Sequence, residues 1–401
     1  MGGLFKGQTI STKDKSFNSM RIQQSAYGLA VPLVYGTNRV SANLMWYSDF
    51  KSTAHTTTQK TGGKGGKTKT KTTTYTYSAS LILGLCGTTI QKVGKIWREK
   101  EQLVDKIESG VTISPIDQLE FELYKGTQTQ GVWPYLTSKH PTQALNYRGI
   151  AYVAAANFEL GGDPSLSNHN FEVVSDIIFK GKNLFNKAEI VAGEYFSPSA
   201  LKIIASSVYR RSGFIPVTAG KTYTLSGNLS GSSQIAWYAT EDKSTSAISN
   251  STSRTATAPA GANFAVFNIT NTGAQDTTYD STTQLEEGSV ATSYSSYLGG
   301  IHDANPADVI RDILENVHYG AAPGKIQGDY SQMYQYCGAA NLLISPVFSE
   351  QRPAFEIVNE IAEAVNCEVV PVPGGMIKII PYADIPISGN GLVYTPNLTP
   401  V

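Results

Sequence analysis

Five histidines, His55, His140, His169, His302 and His318, are the side chains of this chain best suited to proton transfer or metal ligation at neutral pH. They are scattered, with no H-E-x-x-H and no i, i+4 histidine pair, so their spacing builds no zinc site. No G-x-S-x-G elbow presents a nucleophilic serine. Carboxylates stand close in sequence at Glu99 and Glu101 and at Glu286 and Glu287. Glycoside hydrolysis uses such residues, but it needs two carboxyls about 5–10 Å apart across a sugar, and closeness in sequence does not supply that. The run GGKGGKT approaches a phosphate-binding loop, yet Thr61 stands where the first glycine is required, and no strand-to-helix switch surrounds it. Cys86, Cys337 and Cys367 are odd in number and lack C-x-x-C spacing, so they read as buried thiols and not as a cage or a disulfide frame. The expectation is a chain that is not an enzyme and holds no metal or other cofactor.

The elements that carry these residues are mostly strands. At 401 residues the chain exceeds one ordinary core, and its 22 tyrosines and 37 glycines fit strands, turns and contact surfaces. Lys and Arg balance Asp and Glu at 32 each. The balance is not local: residues 1–100 carry 15 basic residues against Asp14, Asp49 and Glu99, leaving 17 against 29 for the rest, or +12 followed by −12. Such polarity suits assembly in which basic and acidic faces meet. Part of it is concentrated between His55 and Tyr77, where Lys60, Lys64, Lys67, Lys69 and Lys71 occur without an acid. Four glycines and no apolar face predict a flexible basic loop joining strands at 44–50 and 74–85, with nucleic acid an unlikely partner. No apolar run reaches the 18 or so residues of a membrane helix, and no signal sequence opens the chain, so synthesis in a cytoplasm is expected.

Three regions follow an N-terminal arm over 1–20. Residues 21–181, with 298–305, alternate short β-like runs with turns. Residues 182–297 hold 34 Ser and Thr in 116 positions and alternate apolar and polar residues, the pattern of an inserted β-sandwich with one wet face per sheet and ends close together. Residues 306–401 bring helices: Asn305 caps a helix opened by Pro306, with Val309, Ile310, Ile313, Leu314 and Val317 on one stripe. A second helix fits 329–340, and a third fits 352–366 with Phe355, Val358, Ile361, Ala362 and Val365 inward. A hairpin turning at Pro373-Gly374-Gly375 comes next, and the region is expected to be completed by a further module or a partner chain. The fold class is mainly β with an α+β C-terminal region.

Several stretches, in order, resemble the central tail hub or tip attachment proteins of lambda-like long-tailed phages and gene-transfer particles. They are SAYGLAVPLVYGTNRVSANLMWYSDF, YTYSASLILGLCGTTIQKVGKIW, LNYRGIAYV and NFEVV, then DANPADVIRDILENVHYGAA, SEQRPAFEIVNEIAEAVNCEVV and GGMIKIIPY. The resemblance implies β-barrel or sheet hub domains in a homotrimer closing the distal end of the tail tube, in the virion. It implies as partners the distal tail protein, the tape measure protein and other tail tip proteins. This chain departs from the pattern in its shortness and in the 182–297 insert. The insert itself resembles the carbohydrate-binding-module type of jelly roll, through GFIPVTAGKTYTLSG, QIAWYAT, ATAPAGANFAVFNIT and TTQLEEGSVATSYSSY.

That second resemblance implies contact with a host cell-surface glycan through aromatic faces and polar side chains. Trp237 and Tyr238 alternate along one strand, so one is expected over the core and the other toward a ligand, with Tyr209 and Arg210 as further contacts. Trp46, Tyr47, Trp97 and Tyr152 are expected to divide between the core and subunit contacts. The alternative function is a carbohydrate-binding adhesin without a tube-closing role.

Overall fold

The structure, a computed structural model, describes residues 9–21, 31–61, 68–108, 111–179, 181–229, 235–270, 272–273, 277, 279, 282–292, 294–295, 297, 302–373 and 376–396. The fold is mainly β with a small helical part, and it forms two compact units: Met1–Ile177 with Ile344–Pro353, and Ile178–Leu343 with Ala354–Val401. The division thus falls elsewhere than at the borders of the Ser/Thr-rich insert.

The first unit contains β1 (Thr9–Lys13), β2 (Leu33–Val34), β3 (Thr37–Ser41), β4 (Asn43–Thr61), β5 (Thr68–Cys86), β6 (Ile90–Arg98), β7 (Glu101–Gln102), β8 (Lys106–Glu108) and β9 (Val111–Ile113). It continues with helix α1 (Pro115–Gln118), β10 (Glu122–Lys125), α2 (Pro134–Lys139), β11 (Ala151–Gly161) and β12 (His169–Ser175). Strand β5 is central to one sheet. β4 pairs along one edge, β11 and then β1 pair along the other, and β10 lies beyond β11. A second sheet runs β3-β12-β6-β7. Leu81, Leu83 and Leu85 of β5 join Val153 of β11 and Val40, Phe171, Val173, Ile90 and Ile96 of the second sheet in one core. Ile82 points the other way, to Tyr152, Ala154, Trp133 and Leu136. The unbroken apolar run at 81–86 is therefore a strand dry on both faces.

The expected basic loop is corrected here. β4 and β5 are 19 residues each and pair without a shift from Lys51 opposite Ser78 out to Thr61 opposite Thr68, so Lys60, Lys69 and Lys71 sit on paired strands. Lys64 and Lys67 lie outside the described residues. The segment needs no buried face to pair, because its threonines are β-branched strand formers that meet across the ladder, and β1 adds a third strand.

In the second unit the insert forms a sandwich from β13 (Val191–Ser197), β14 (Lys202–Arg211), β15 (Ile215–Pro216), β16 (Thr222–Ser226), β17 (Ile235–Tyr238), β18 (Ser249–Ser251), β19 (Thr255–Thr257), β20 (Phe264–Thr270) and β21 (Gln284–Glu287). The larger sheet runs β13-β14-β20-β17-β18 and the smaller β19-β16-β21. Its ends meet: Asn183 Nδ2 donates to Ser295 O at 2.9 Å, and Leu184 N donates to Leu285 O at 2.7 Å. Then come α3 (Pro306–Glu315), β22 (Gln327–Asp329) and α4 (Ser331–Ala340). Asn305 caps α3 by accepting from Ala307 N and also donates to Tyr334 O of α4. Val317 is exposed because α3 ends at Glu315.

The chain next returns to the first unit, where β23 (Val347–Phe348) pairs antiparallel with β2. Asn38 Nδ2 donates to Ser345 O at 2.6 Å and to Tyr35 O at 3.2 Å, Thr37 N donates to Ser345 Oγ, and Tyr35 N donates to Pro346 O. Helix α5 (Ala354–Ala364) buries Ile357, Val358, Ile361 and Ala362, so Phe355 falls on its outer side, contrary to expectation. The antiparallel hairpin β24 (Cys367–Val372) and β25 (Met376–Pro381) follows, with β22 pairing parallel to β25. All three cysteines are free and buried.

Asn38 ties together residues some 300 positions apart by donating to two backbone carbonyls, those of Tyr35 and Ser345. Asn38→Ala is expected to destabilise the first unit by about 1–2 kcal/mol in urea unfolding. An unchanged midpoint would show that the return segment holds without this clamp.

Candidate functional site

Residues paired across a ladder share a face, and successive residues alternate. Beyond the body of the first unit, the β1-β5-β4 ribbon therefore has two unlike sides. One carries Lys60 opposite Lys69, then Lys71, then Lys13 opposite Thr73, with Tyr75 next beyond them. The Lys13 ammonium lies over the Tyr75 ring at 5.9 Å. The other side carries Thr53, Thr57 and Thr61 of β4, Thr12 of β1, and Thr68, Thr70, Thr72, Thr74 and Thr76 of β5. Lys60, Lys69, Lys71 and Lys13 are all exposed.

At the root of the ribbon both ladders of β5 are bulged. The β4 register shifts between Ser48 and Lys51, and the β11 register shifts between Ala155 and Phe158. Asp49 and Asn157 occupy these bulges with φ of 55° and 54°, the left-handed region that Asp and Asn tolerate. One chain of hydrogen bonds joins the two. Asn157 N donates to Ser80 Oγ at 3.1 Å, Ser80 donates to the Tyr135 hydroxyl at 2.9 Å, and Tyr135 donates to Asp49 Oδ2 at 2.7 Å. His140 Nε2 lies 2.7 Å from the same carboxylate oxygen. Burial pushes the Asp49 carboxyl up, but the Tyr135 and His140 hydrogen bonds and the charges of His140 and Lys139 together hold it below the usual carboxylate range. The set has the residue types of a serine catalytic triad, but Ser80 is fully buried and contacts Tyr135 instead of a histidine, so no substrate reaches it. Sequence reasoning named His140 among five scattered histidines and Asp49 among the few acids of residues 1–100, but it did not bring them together with each other, 91 positions apart, or with Ser80 and Tyr135. The polar Ser48-Asp49 break in an otherwise strand-like LMWYSDF run is the one local signal.

An aromatic shelf lies over the same sheet. Trp46 is half-buried, donates to Gln143 Oε1 at 2.7 Å, and meets Trp133 and His140 edge-on. Tyr152 is corrected as a subunit-contact candidate: it is fully buried, stacked on Tyr124 at 4.5 Å. Burial, and then the neighbouring Tyr124, push its phenol well above the usual range. Tyr47 packs against the main core, and Trp97 is half-buried under the Arg39 guanidinium at 4.3 Å. Of the four, Trp46, Tyr47 and Trp97 keep some surface, and Tyr152 keeps none.

In the sandwich Trp237 and Tyr238 do point to opposite faces, but both are buried. Trp237 joins Tyr223, Leu225, Ile235 and Phe267 between the two sheets. Tyr238 lies in a second cluster with Phe196, Ala236 and Val266, closed by Leu201, Ile203 and Phe214. The expected wet face of the larger sheet is thus dry around β17, and neither ring is available to a ligand. Tyr209 stacks on Tyr195 at 4.5 Å with both half-buried, and Arg210 is half-buried beside it. Glu286 and Glu287 do not converge. Glu286 is buried and accepts from Thr292 N, Thr292 Oγ1 and Gln284 Nε2, with Lys182 at 3.7 Å, whereas Glu287 pairs with Lys221 at the surface. The QLEEG stretch is therefore a clasp for the returning chain.

No family model matches the chain, and no curated protein matches it. Among solved structures, a chain of the virion of a native gene transfer agent particle is similar, at 24% identity and a TM-score of 0.26, over 40% of this chain. The match covers 31% of that chain, about a third of its length.

Tyr135→Phe leaves the buried Ser80 hydroxyl without its acceptor and is expected to cost about 2 kcal/mol in urea unfolding. Asp49 is 38% exposed, so Asp49→Asn should cost less, about 1 kcal/mol. The Asp49 contribution is present above about pH 4, the unfolded value, and is lost as pH falls through the lower folded value. The gap between wild type and Asp49→Asn should therefore narrow below pH 4. A gap that widens there, or an Asp49→Asn variant more damaged than Tyr135→Phe, would contradict the network.

Proposed function

We propose that this chain is a structural, non-enzymatic virion protein, a central tail hub that assembles as a trimer and closes the distal end of a tail tube. It does so with the distal tail protein, the tape measure protein and other tip proteins. One observation carries the reading. The stretches that resemble the hub family at 25–50, 75–97, 145–153 and 170–174 supply β2 to β6, β11 and β12 of the first unit, including the strands whose leucines, valines and phenylalanines make its core. Among the described residues the β5-centred sheet ends in β4 on one side and in β10 and β1 on the other, so it offers outer edges of the kind that a closed ring of copies removes. The chemistry agrees: Ser80 is buried behind Tyr135, apart from the partly exposed Asp49–His140 pair, and the paired glutamates diverge.

A second reading, the carbohydrate-binding adhesin, is favoured by the stacked Tyr195–Tyr209 pair beside Arg210, the aromatic surface left on the larger sheet once Trp237 and Tyr238 are internal. In the hub reading this surface meets host glycan during adsorption. Mass photometry of the purified full chain separates the two. A stable trimer, or rings formed with co-expressed tail proteins, is expected. A monomer retained on cell-wall polysaccharide, with retention lost in Tyr209→Ala, supports the adhesin and contradicts the hub.

A further inference from the structure

One side of β5 changes character along its length. At the root it buries Leu81, Leu83 and Leu85, and further out the same side carries Tyr77, Tyr75, Lys71 and Lys69. Lys60 of β4 stands directly opposite Lys69, an arrangement that destabilises a sheet when no anion intervenes. Lys71 lies about 7 Å from Lys69 by the strand rise, and Lys13, opposite Thr73, about 14 Å from it. The N-terminal segment extends the row toward the root. Phe17 packs edge-on against Tyr77 at 6.1 Å and lies under the Arg21 guanidinium at 4.2 Å and the Lys15 ammonium at 5.9 Å. Cations therefore follow one side of the ribbon from Lys69 to the level of Tyr77, about 27 Å by strand rise.

Nothing within the first unit answers this charge. Among the described residues none of these cations forms an ion pair, and all of them are exposed. Asp14 and Asp49 are the only acids that precede Glu99 in sequence, and Asp49 is held by Tyr135 and His140. The reverse side of the ribbon presents threonines, with Lys51 at its root.

The form of the row selects its occupant. A linear series of cations with a step of about 7 Å suits an anion that repeats along a chain, as phosphates do along a nucleic-acid strand. Lysines act as point charges that neutralise phosphate without reading base edges. The rings on this side, Tyr75 and Phe17, already hold Lys13, Lys15 and Arg21, so neither is free to stack on an unpaired base. A lipid surface fits less well, because no Trp, Leu or Phe stands among Lys60, Lys69 and Lys71 to enter the acyl boundary.

We infer that the lysine side of the β1-β5-β4 ribbon is a sequence-independent binding surface for the phosphate backbone of double-stranded nucleic acid. Composition argued against this partner because the lysines read as a loose tip, and it is the ladder that sets them in a row. One copy carries the whole surface, so the inference does not rest on the trimeric reading.

The test is fluorescence anisotropy of a labelled double-stranded DNA titrated with the full chain over a series of salt concentrations. Between about 50 and 200 mM salt the wild-type affinity should fall at least about fiftyfold, a slope of about −3 or steeper in log K against log salt. Lys60→Thr/Lys69→Thr/Lys71→Thr should weaken binding at least about tenfold at the lower salt and flatten the slope by about 2 to 3. Lys51→Thr, on the reverse side, should change neither. Threonine already lines these strands, so circular dichroism of each variant should match wild type. Should the triple variant misfold, Lys69→Thr alone keeps the test open, with the slope flattened by about 1. No binding at about 50 mM salt, or a slope that the lysine replacements leave unchanged, overturns the inference. A preference above about tenfold between duplexes of unrelated sequence overturns it as well, since phosphate contacts carry no sequence information. Binding to phosphatidylglycerol vesicles without binding to the duplex overturns it and identifies a lipid surface as the occupant.

Discussion

One strand sets the terms for the first unit. Residues 77–86 of β5 are buried, with leucines on one face and Ile82 on the other, so the pairing register there is held by two cores at once. A slip of one residue would carry Leu81, Leu83 and Leu85 out of one core and into the other. After the shift at the Ser48–Lys51 bulge the ladder runs outward into a segment with no core of its own. The buried half and that bulge together decide that Lys60 faces Lys69, and five threonines of β5 line the reverse side. The bulges at Asp49 and Asn157 mark the change from one regime to the other, and the Ser80–Tyr135–Asp49 chain pins both.

Much of the architecture was legible wherever a local rule and burial agree. Asn305 before Pro306 marked the start of α3 because a cap and a fixed φ are local properties. Alternation marked the sandwich strands, and the apolar period marked α5. Reading failed where a partner distant in sequence decides the outcome. The lysine and threonine segment has loop composition, and only β5's anchorage and β1's parallel pairing make it a ribbon. Tyr238 looked free because alternation sends one of two neighbours outward, but Phe196, Leu201, Ile203 and Phe214 come over that side. Phe355 fits the helical stripe on paper, yet α5 begins at Ala354 and its buried face is set by Ile357 and Val358. The Asp49–His140 pair spans a separation that no motif search covers.

The surfaces left after this accounting are polar and specific. The first unit offers the outer edges of its sheets, the half-buried Trp46 and Trp97, and a ribbon that is basic on one side and hydroxylated on the other. The second offers the Tyr195–Tyr209 pair. The carboxylates that could have suggested chemistry are engaged in structure, Glu286 in closing the insert and Asp49 in closing a bulge.

Everything said of the ribbon depends on its being a register-locked continuation of β5. Hydrogen exchange of the full chain, followed by mass spectrometry over peptides spanning 51–61 and 68–76, measures this directly. The account expects both segments to be protected at least about a hundredfold over an unstructured peptide, because their amides are held in the ladder. Exchange of both at the rate of a free chain, with 77–86 still protected, would contradict it.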